Sequence, residues 1–347
     1  MTSEAGRRTK SSDARIVGVV SCVPQRLVDN SDFLAKFGDK ANEIAKMTGV
    51  LERRWVAPGQ TTADLCEAAA RSLMEELGWT AESVDAVIFV SQTPDYRLPA
   101  TACALHGRLG LSPGAIAYDV NLGCSGYPYG LWMAMSAIQT GAADRVLLLV
   151  GDTISKTVDP EDRSTAMLFG DAGTATAIER GAGGASFVLG SDGRGERNLI
   201  IPQGAYRSAD SGFETLGDRR LDALYMDGGE IFNFTLKAVP ALVQTTIEHG
   251  GVPVEDYDAF CFHQANAFMV KHLIKKAKLP VEKVPINIDR YGNTSSASIP
   301  LLMTTDLAER LKSGSTRLAM FGFGVGYSWA SAALELEPLR VARTMVA

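Results

Sequence analysis

VNLGCSGYPYGLW, residues Val120–Trp132, sets a single cysteine at a seam, with a β-branched, strand-like run before it and a helix-like run after it. Gly123 and Gly126 flank Cys124 and allow close backbone approach. Pro128 falls where a first helical turn tolerates proline. A structural cysteine would more often lie inside an apolar run. Here the thiol stands at an end, where the sulfur meets whatever enters from outside.

The same grammar of strand followed by helix extends in both directions from this seam. Strand-like runs are expected at 15–24, 85–92, 115–121, 145–152 and 173–180, with helices near 62–77 and from about Ser125. After GAGG (181–184), which reads as a joint, strands are expected at 186–193, 257–264, 316–326 and 328–337, and helices near 228–248, 266–277 and 298–312. Alternation of this kind is the α/β signature. Each half carries a buried-type strand ending in a reactive residue, Cys124 in the first and His263 in the second, followed at once by a helix. The expected organisation is a polar, disordered leader over 1–14, a first half over 15–184 and a second over 185–347. The polar stretch 203–224 reads as a surface excursion.

Composition limits what such a chain does. It has 347 residues, 46% apolar and 21% charged, enough for two core-sized halves. The net charge of −6 argues against a general attraction to nucleic acid or to an anionic membrane. Five widely spaced cysteines with no CxxC pair fit neither a disulfide framework nor a zinc ribbon. No apolar run spans a bilayer, and the N-terminus lacks a signal core. The expectation is a cytoplasmic protein.

Three residues stand out for chemistry. Cys124 lies near helix N–H groups, which favour thiolate over thiol and so a nucleophile. His263 ends AFCFHQAN, where a parallel strand delivers side chains to a ligand crevice. On its own it would read as a hydrogen-bonded structural histidine. Cys261 lies two residues away, but with no further ligands beside the pair no metal site is expected. Asn293 lies in DRYGNTSSASIP, a turn of small polar residues leading into a helix, where ordinary capping chemistry would also explain it. GFGVG (322–326) lacks nucleotide-loop spacing.

Taken in order, GCSG, HQAN, YGNTSSAS and GFGVGYSW form a set, joined by TGVLERRW (48–55), DPEDRSTAMLFGDAGTA (159–175) and YMDGGEIF (225–232). Over roughly residues 15–337 the chain resembles the ketoacyl-acyl carrier protein synthase III family of the thiolase superfamily. The resemblance implies the five-layered αβαβα thiolase-like fold, with two similar halves in a homodimer. It implies Cys124 as acyl-accepting nucleophile, and His263 and Asn293 as the pair that promotes malonyl decarboxylation. Main-chain N–H groups of Cys124 and Val325 would form the oxyanion hole. Phe323 and Leu98 would line the substrate channel, and Arg163 would contact coenzyme A. The implied reaction joins an acyl thioester to malonyl-acyl carrier protein, giving a 3-oxoacyl thioester. The alternative on the same fold passes the acyl group to a hydroxyl or amine. No cofactor is implied.

The helix after His263 adds a reading of its own. In NAFMVKHLIKKAKLP an apolar face of Val270, Leu273, Ile274 and Ala277 opposes Lys271, Lys275 and Lys278, with Lys276 beside them. In an acidic chain this lysine row suits an acidic carrier protein. Three departures from the family's pattern stand out. Glu43 and Met47 replace a tryptophan and an arginine that help hold coenzyme A, Phe268 replaces an arginine, and Leu98 replaces a phenylalanine.

Overall fold

Strand β1 (Arg7–Val23) and strand β7 (Ala172–Ser191) run antiparallel over nearly their whole lengths and hold the two halves together. The computed structural model describes residues 5–207 and 220–347. One correction to the sequence reading follows from this pair. Arg7–Ser12 is not part of a disordered leader, since it pairs with Gly184–Leu189. Its alternating polar side chains belong to a strand whose backbone is satisfied by a neighbour. GAGG (181–184) lies inside β7, between the part that pairs with β6 and the part that pairs with β12. The strand continues through it, with a register shift opposite Asp13, whose φ is 58°.

In the first half, β2 (Arg26–Asp29) and β3 (Glu52–Trp55) pair around α1 (Ser31–Phe37) and α2 (Asp39–Thr48). Next come α3 (Thr62–Leu77), β4 (Ala86–Val90), α4 (Thr101–Leu109), β5 (Ile116–Val120), α5 (Gly126–Gln139), β6 (Arg145–Asp152) and α6 (Arg163–Ala166). After β7 the second half brings β8 (Leu199–Ile200), β9 (Tyr225–Met226), α7 (Gly228–Gly250), β10 (Ala259–Phe262) and α8 (Ala267–Ala277). It closes with α9 (Ile288–Tyr291), α10 (Ser298–Thr304), α11 (Ala308–Ser313), β11 (Thr316–Gly324), β12 (Ser328–Leu336) and β13 (Val341–Val346). The expected excursion over 203–224 lies largely outside the described residues.

The two halves repeat one topology. In the first, β4 lies parallel to β6, which is antiparallel to β7, which is antiparallel to β1. In the second, β10 lies parallel to β11, which is antiparallel to β12, which is antiparallel to β7. β7 changes partner within its own length, pairing β6 over 172–179 and β12 over 185–191. The last strand, β13, which the sequence pattern did not reveal, returns to lie parallel to β1.

Packing stacks the sheets and helices into five layers, αβαβα. Between the sheets, α5 buries Tyr127, Leu131, Met135 and Ile138 in one cluster with Ile299, Leu302 and Met303 of α10. Full burial of each such side chain is worth about 1.5–3 kcal/mol. One outer layer packs Leu65, Ala69 and Leu73 of α3 against the first sheet. The other packs Leu242 of α7 and Leu273 of α8 against the second. α3 begins in a capping box, Thr61 Oγ1 accepting the Asp64 N–H at 3.3 Å while the Asp64 carboxylate accepts the Thr61 N–H at 2.8 Å. Among the described residues no helix is long and apolar enough to cross a membrane.

Candidate active site

Both halves deliver reactive residues to the same end of their sheets. β5 ends at Val120, a five-residue turn follows, and α5 begins at Gly126, so Cys124 sits just before the N-terminus of a buried helix. β10 ends at Phe262, and the His263 N–H donates to the Phe321 carbonyl of β11 at 2.8 Å. Asn293 is pinned from both sides of its own peptide: its N–H donates to Leu168 O at 2.9 Å and its carbonyl accepts the Gly170 N–H at 3.1 Å. The 159–175 motif therefore serves as a rail for the loop that carries Asn293.

A cavity of about 810 Å³ opens over these ends, and Cys124, His263, Asn293, Phe323 and Val325 all line it. Gly324 passes so close to the thiol that a Cβ there would lie 2.8 Å from Cys124 Sγ. The His263 ring stands edge-on to Phe323, with centroids 5.6 Å apart. Its Nδ1 lies 2.8 Å from Ser298 Oγ, which also accepts the Gln264 N–H at 3.4 Å. Asn293 Oδ1 accepts the Ser295 N–H at 2.9 Å, and its Nδ2 donates to Ala265 O at 3.3 Å.

Burial governs the electrostatics. It drives His263 down to about 3, offset in part by a hydrogen bond to the main chain of Ser295, so the ring is neutral at pH 7. Cys124 departs from the expectation set by its place before a helix. Burial and the neighbouring Asp152 carboxylate push the thiol up to about 11, against the pull of the Ser295 hydroxyl and the main-chain amides of Val325 and Cys124. Desolvation of the buried thiol outweighs these hydrogen bonds.

The remaining predicted residues are dispersed. Leu98 is 76% exposed and does not line the cavity of this chain. Arg163 opens α6 and is exposed. Lys271, Lys275, Lys276 and Lys278 are exposed on or just beyond α8, opposite buried Val270, Leu273 and Ile274, and Lys276 Nζ donates to Leu236 O at 2.7 Å. Met47 and Phe268 stand exposed at 61% and 53%. They flank the contact between Gly49 and Ala267, beside the cavity-lining Asn266. Among the described residues no group of three His, Cys, Asp or Glu side chains could hold a metal ion.

Sequence reasoning gave no role to Ser295, Ser298 or Asp152. The first two lie inside a motif that was recognised as a whole. Asp152 had a signal, a carboxylate ending the otherwise apolar run RVLLLVGD.

The pattern described as "3-Oxoacyl-[acyl-carrier-protein (ACP)] synthase III" matches residues 118–193, and its C-terminal counterpart matches residues 247–336. A Beta-ketoacyl-[acyl-carrier-protein] synthase III of Caldanaerobacter subterraneus is 36% identical over 93% of this chain and 97% of its own length. The chain belongs to the 3-oxoacyl-[acyl-carrier-protein] synthase III family. As a member of that synthase III family it is an acyltransferase of the condensing type. A 3-oxoacyl-(acyl-carrier protein) synthase from Burkholderia xenovorans LB400 superposes with a TM-score of 0.97, at 56% identity and 99% coverage of both chains. A Thermus thermophilus synthase III superposes with a TM-score of 0.84 at 35% identity, over 93% of this chain and 99% of that one.

Proposed function

We propose that the chain catalyses a decarboxylating Claisen condensation, joining an acyl thioester to malonyl-acyl carrier protein through an acyl-Cys124 intermediate. The observation that carries this reading is the convergence of Cys124, His263 and Asn293 on one cavity, with a histidine kept neutral there. The first half-reaction is acyl transfer to Cys124 Sγ, which splits one hard condensation into two easier steps. Main-chain N–H groups of Cys124 and Val325 bear on the sulfur and suit an oxyanion forming beside it.

In the second half-reaction, malonyl thioester loses CO₂ and leaves an enolate. A neutral imidazole N–H and the Asn293 amide donate to the enolate oxygen, and no carboxylate base is needed. The carbanion attacks the acyl-Cys124 carbonyl and the thiolate departs, giving a 3-oxoacyl thioester. Phe323, packed against His263, separates the sites of the two half-reactions.

The exposed lysines of α8 form the dock for an acidic carrier protein. Near the cavity Met47 and Phe268 offer apolar surface where the family carries cations, which favours a carrier-bound donor over coenzyme A, with Arg163 left as one cation for the nucleotide. The acting form is a homodimer. β5 is an edge strand with every residue at least partly exposed, and Leu98 is 76% exposed on the same half, which leaves both free to face a second copy. Intact-protein mass spectrometry after incubation with a panel of acyl thioesters tests the intermediate. One acyl group per chain is expected, lost on reduction to Cys124→Ala. Equal uptake by that variant would refute the assignment.

A further inference from the structure

We propose that Arg53 is a positioning residue for decarboxylation. It is buried where the loop of Asn293 crosses the segment 167–171, and its guanidinium sets the place of the Asn293 amide. The inference rests on the decarboxylating reading above. Arg53 lies in TGVLERRW (48–55), a motif that neither half-reaction uses directly.

Arg53 is the second residue of β3 and is fully buried. Its hydrogen-bond partners are neutral oxygens. Nη2 donates to Met167 O at 2.6 Å and to Asn30 Oδ1 at 2.9 Å, and Nη1 donates to Val28 O at 3.4 Å. The guanidinium carbon stands 5.0 Å from the centroid of the Phe33 ring, and Nε has no partner among the described residues. Burial draws the group down to about 10, against the pull of Asp29, Asp32 and Glu52, so it keeps its charge at pH 7. A buried cation met only by dipoles and a ring face, with one N–H left over, is a costly way to fill space. An apolar side chain would pack there at less cost. The charge makes sense where it fixes something.

What it fixes is the segment 167–171. β3 ties that segment at every second residue: Arg53 Nη2 holds Met167 O, Trp55 Nε1 donates to Phe169 O at 3.0 Å, and Arg54 O accepts the Asp171 N–H at 2.8 Å. The residues between these ties are the ones that hold Asn293. Leu168 O accepts its N–H and the Gly170 N–H donates to its carbonyl, so Phe169 and Asn293 pair like parallel strands.

The stem of Arg53 fills the crossing. A Cβ built on Gly170 would lie 3.2 Å from Arg53 Cβ and 2.1 Å from Tyr291 O, and one on Gly292 would lie 3.2 Å from Arg53 Cβ and 2.7 Å from Leu168 O. The two loops touch main chain to main chain with the arginine against both, and a shift of Met167 passes to Asn293 without slack. Cys124 is held by other means, in the turn between β5 and α5 and against Gly324. None of the three Arg53 hydrogen bonds reaches that turn. The clamp bears on the second half-reaction and spares the first.

The test separates the half-reactions in Arg53→Met and Arg53→Lys. Acylation is read by intact mass with the acetyl thioester of N-acetylcysteamine, and decarboxylation by the CO₂ released when malonyl carrier protein is added to the acylated enzyme. Arg53→Met is expected to acylate within about twofold of the parent and to release CO₂ about 10²-fold more slowly, the scale of a misplacement of roughly 1 Å. The loss falls on kcat, with the KM for malonyl carrier protein near the parent's, since Arg53 is buried away from the exposed lysines of α8. Arg53→Lys keeps the cation but loses the fork that joins Met167, Asn30 and Val28, and is expected to be about 10-fold slower in CO₂ release only. Arg53→Met/Asn293→Ala is no slower than Asn293→Ala alone, because the arginine acts through the asparagine. Parental CO₂ release in folded Arg53→Met, or equal slowing of both half-reactions, overturns the clamp. Should Arg53→Met fail to fold, Arg53→Lys decides alone, and parental CO₂ release there overturns it. Failure of the acylated parent to release CO₂ would instead refute the reading on which the clamp rests.

Discussion

Replacing His263 by Gln should remove most of the acid sensitivity of folding between pH 7 and pH 4.5. His263 is 1% exposed and driven down to about 3, while an unfolded histidine titrates near 6.5. As pH falls through 6.5, the unfolded chain takes up a proton that the folded chain refuses, so stability is present above 6.5 and drains away toward 3. Integrating from pH 7 to 4.5 gives a loss of about 2.5 kcal/mol from this one group, at roughly 1.36 kcal/mol per pH unit. Asp171 acts with the opposite sign. Burial pushes its carboxyl up to about 6, so the folded state binds its proton first and gains stability as pH falls. It is present in both proteins and cancels in the comparison. The assay is urea unfolding of parent and His263→Gln at both pH values and one fixed protein concentration. The parent is expected to lose about 2.5 kcal/mol more than the variant over this interval. Equal losses would mean that His263 accepts a proton in the folded state, and the account of a neutral donor would fail.

Gly324→Ala should cut acylation of Cys124 by roughly two orders of magnitude, since the new Cβ lands 2.8 Å from Sγ and the thiol has to leave its place. Labelling kinetics check this, with an unchanged melting temperature separating it from misfolding. Charge reversal of Lys271, Lys275 and Lys278 together is expected to raise the KM for carrier-bound malonyl at low salt and to leave self-acylation by a small thioester unchanged. Added salt should erase the difference, because exposed charges act over about 8 Å at physiological ionic strength. In a competition for Cys124 between one acyl group on a carrier protein and the same group on coenzyme A, the carrier should win. Loss of one stacking partner is worth roughly 1–3 kcal/mol. Equal labelling would refute the altered dock.

The sheets and the central helices were legible because burial writes itself into composition. β4 and β6 are wholly or almost wholly buried and read as apolar runs, and α5 opens with the glycines and proline that its close packing needs. Arg7–Ser12 and β13 were not legible. Both are polar or mixed strands whose identity comes from the neighbour they pair with, a long-range fact that local pattern does not carry. Cys124, His263 and Asn293 are legible because each lies just past the end of an element in a recognisable motif. Asp152 was missed because its partner, the Ser296 hydroxyl at 2.6 Å, lies 144 positions away in sequence. The direction of the Cys124 shift was missed for a related reason: proximity to a helix end is visible in sequence, and depth of burial is not.

The central claim is that acyl capture at Cys124 is coupled to decarboxylation by His263 and Asn293. The most direct measurement loads the enzyme with one acyl group, adds malonyl carrier protein labelled at its free carboxyl, and follows released CO₂ beside the mass of the protein. The account predicts one CO₂ for each acyl group that leaves Cys124. It also predicts that His263→Ala and Asn293→Ala still load but release CO₂ about 10²–10³-fold more slowly. Discharge of the acyl group to a hydroxyl or amine with the label still on malonyl, or undiminished CO₂ release by both variants, would contradict it.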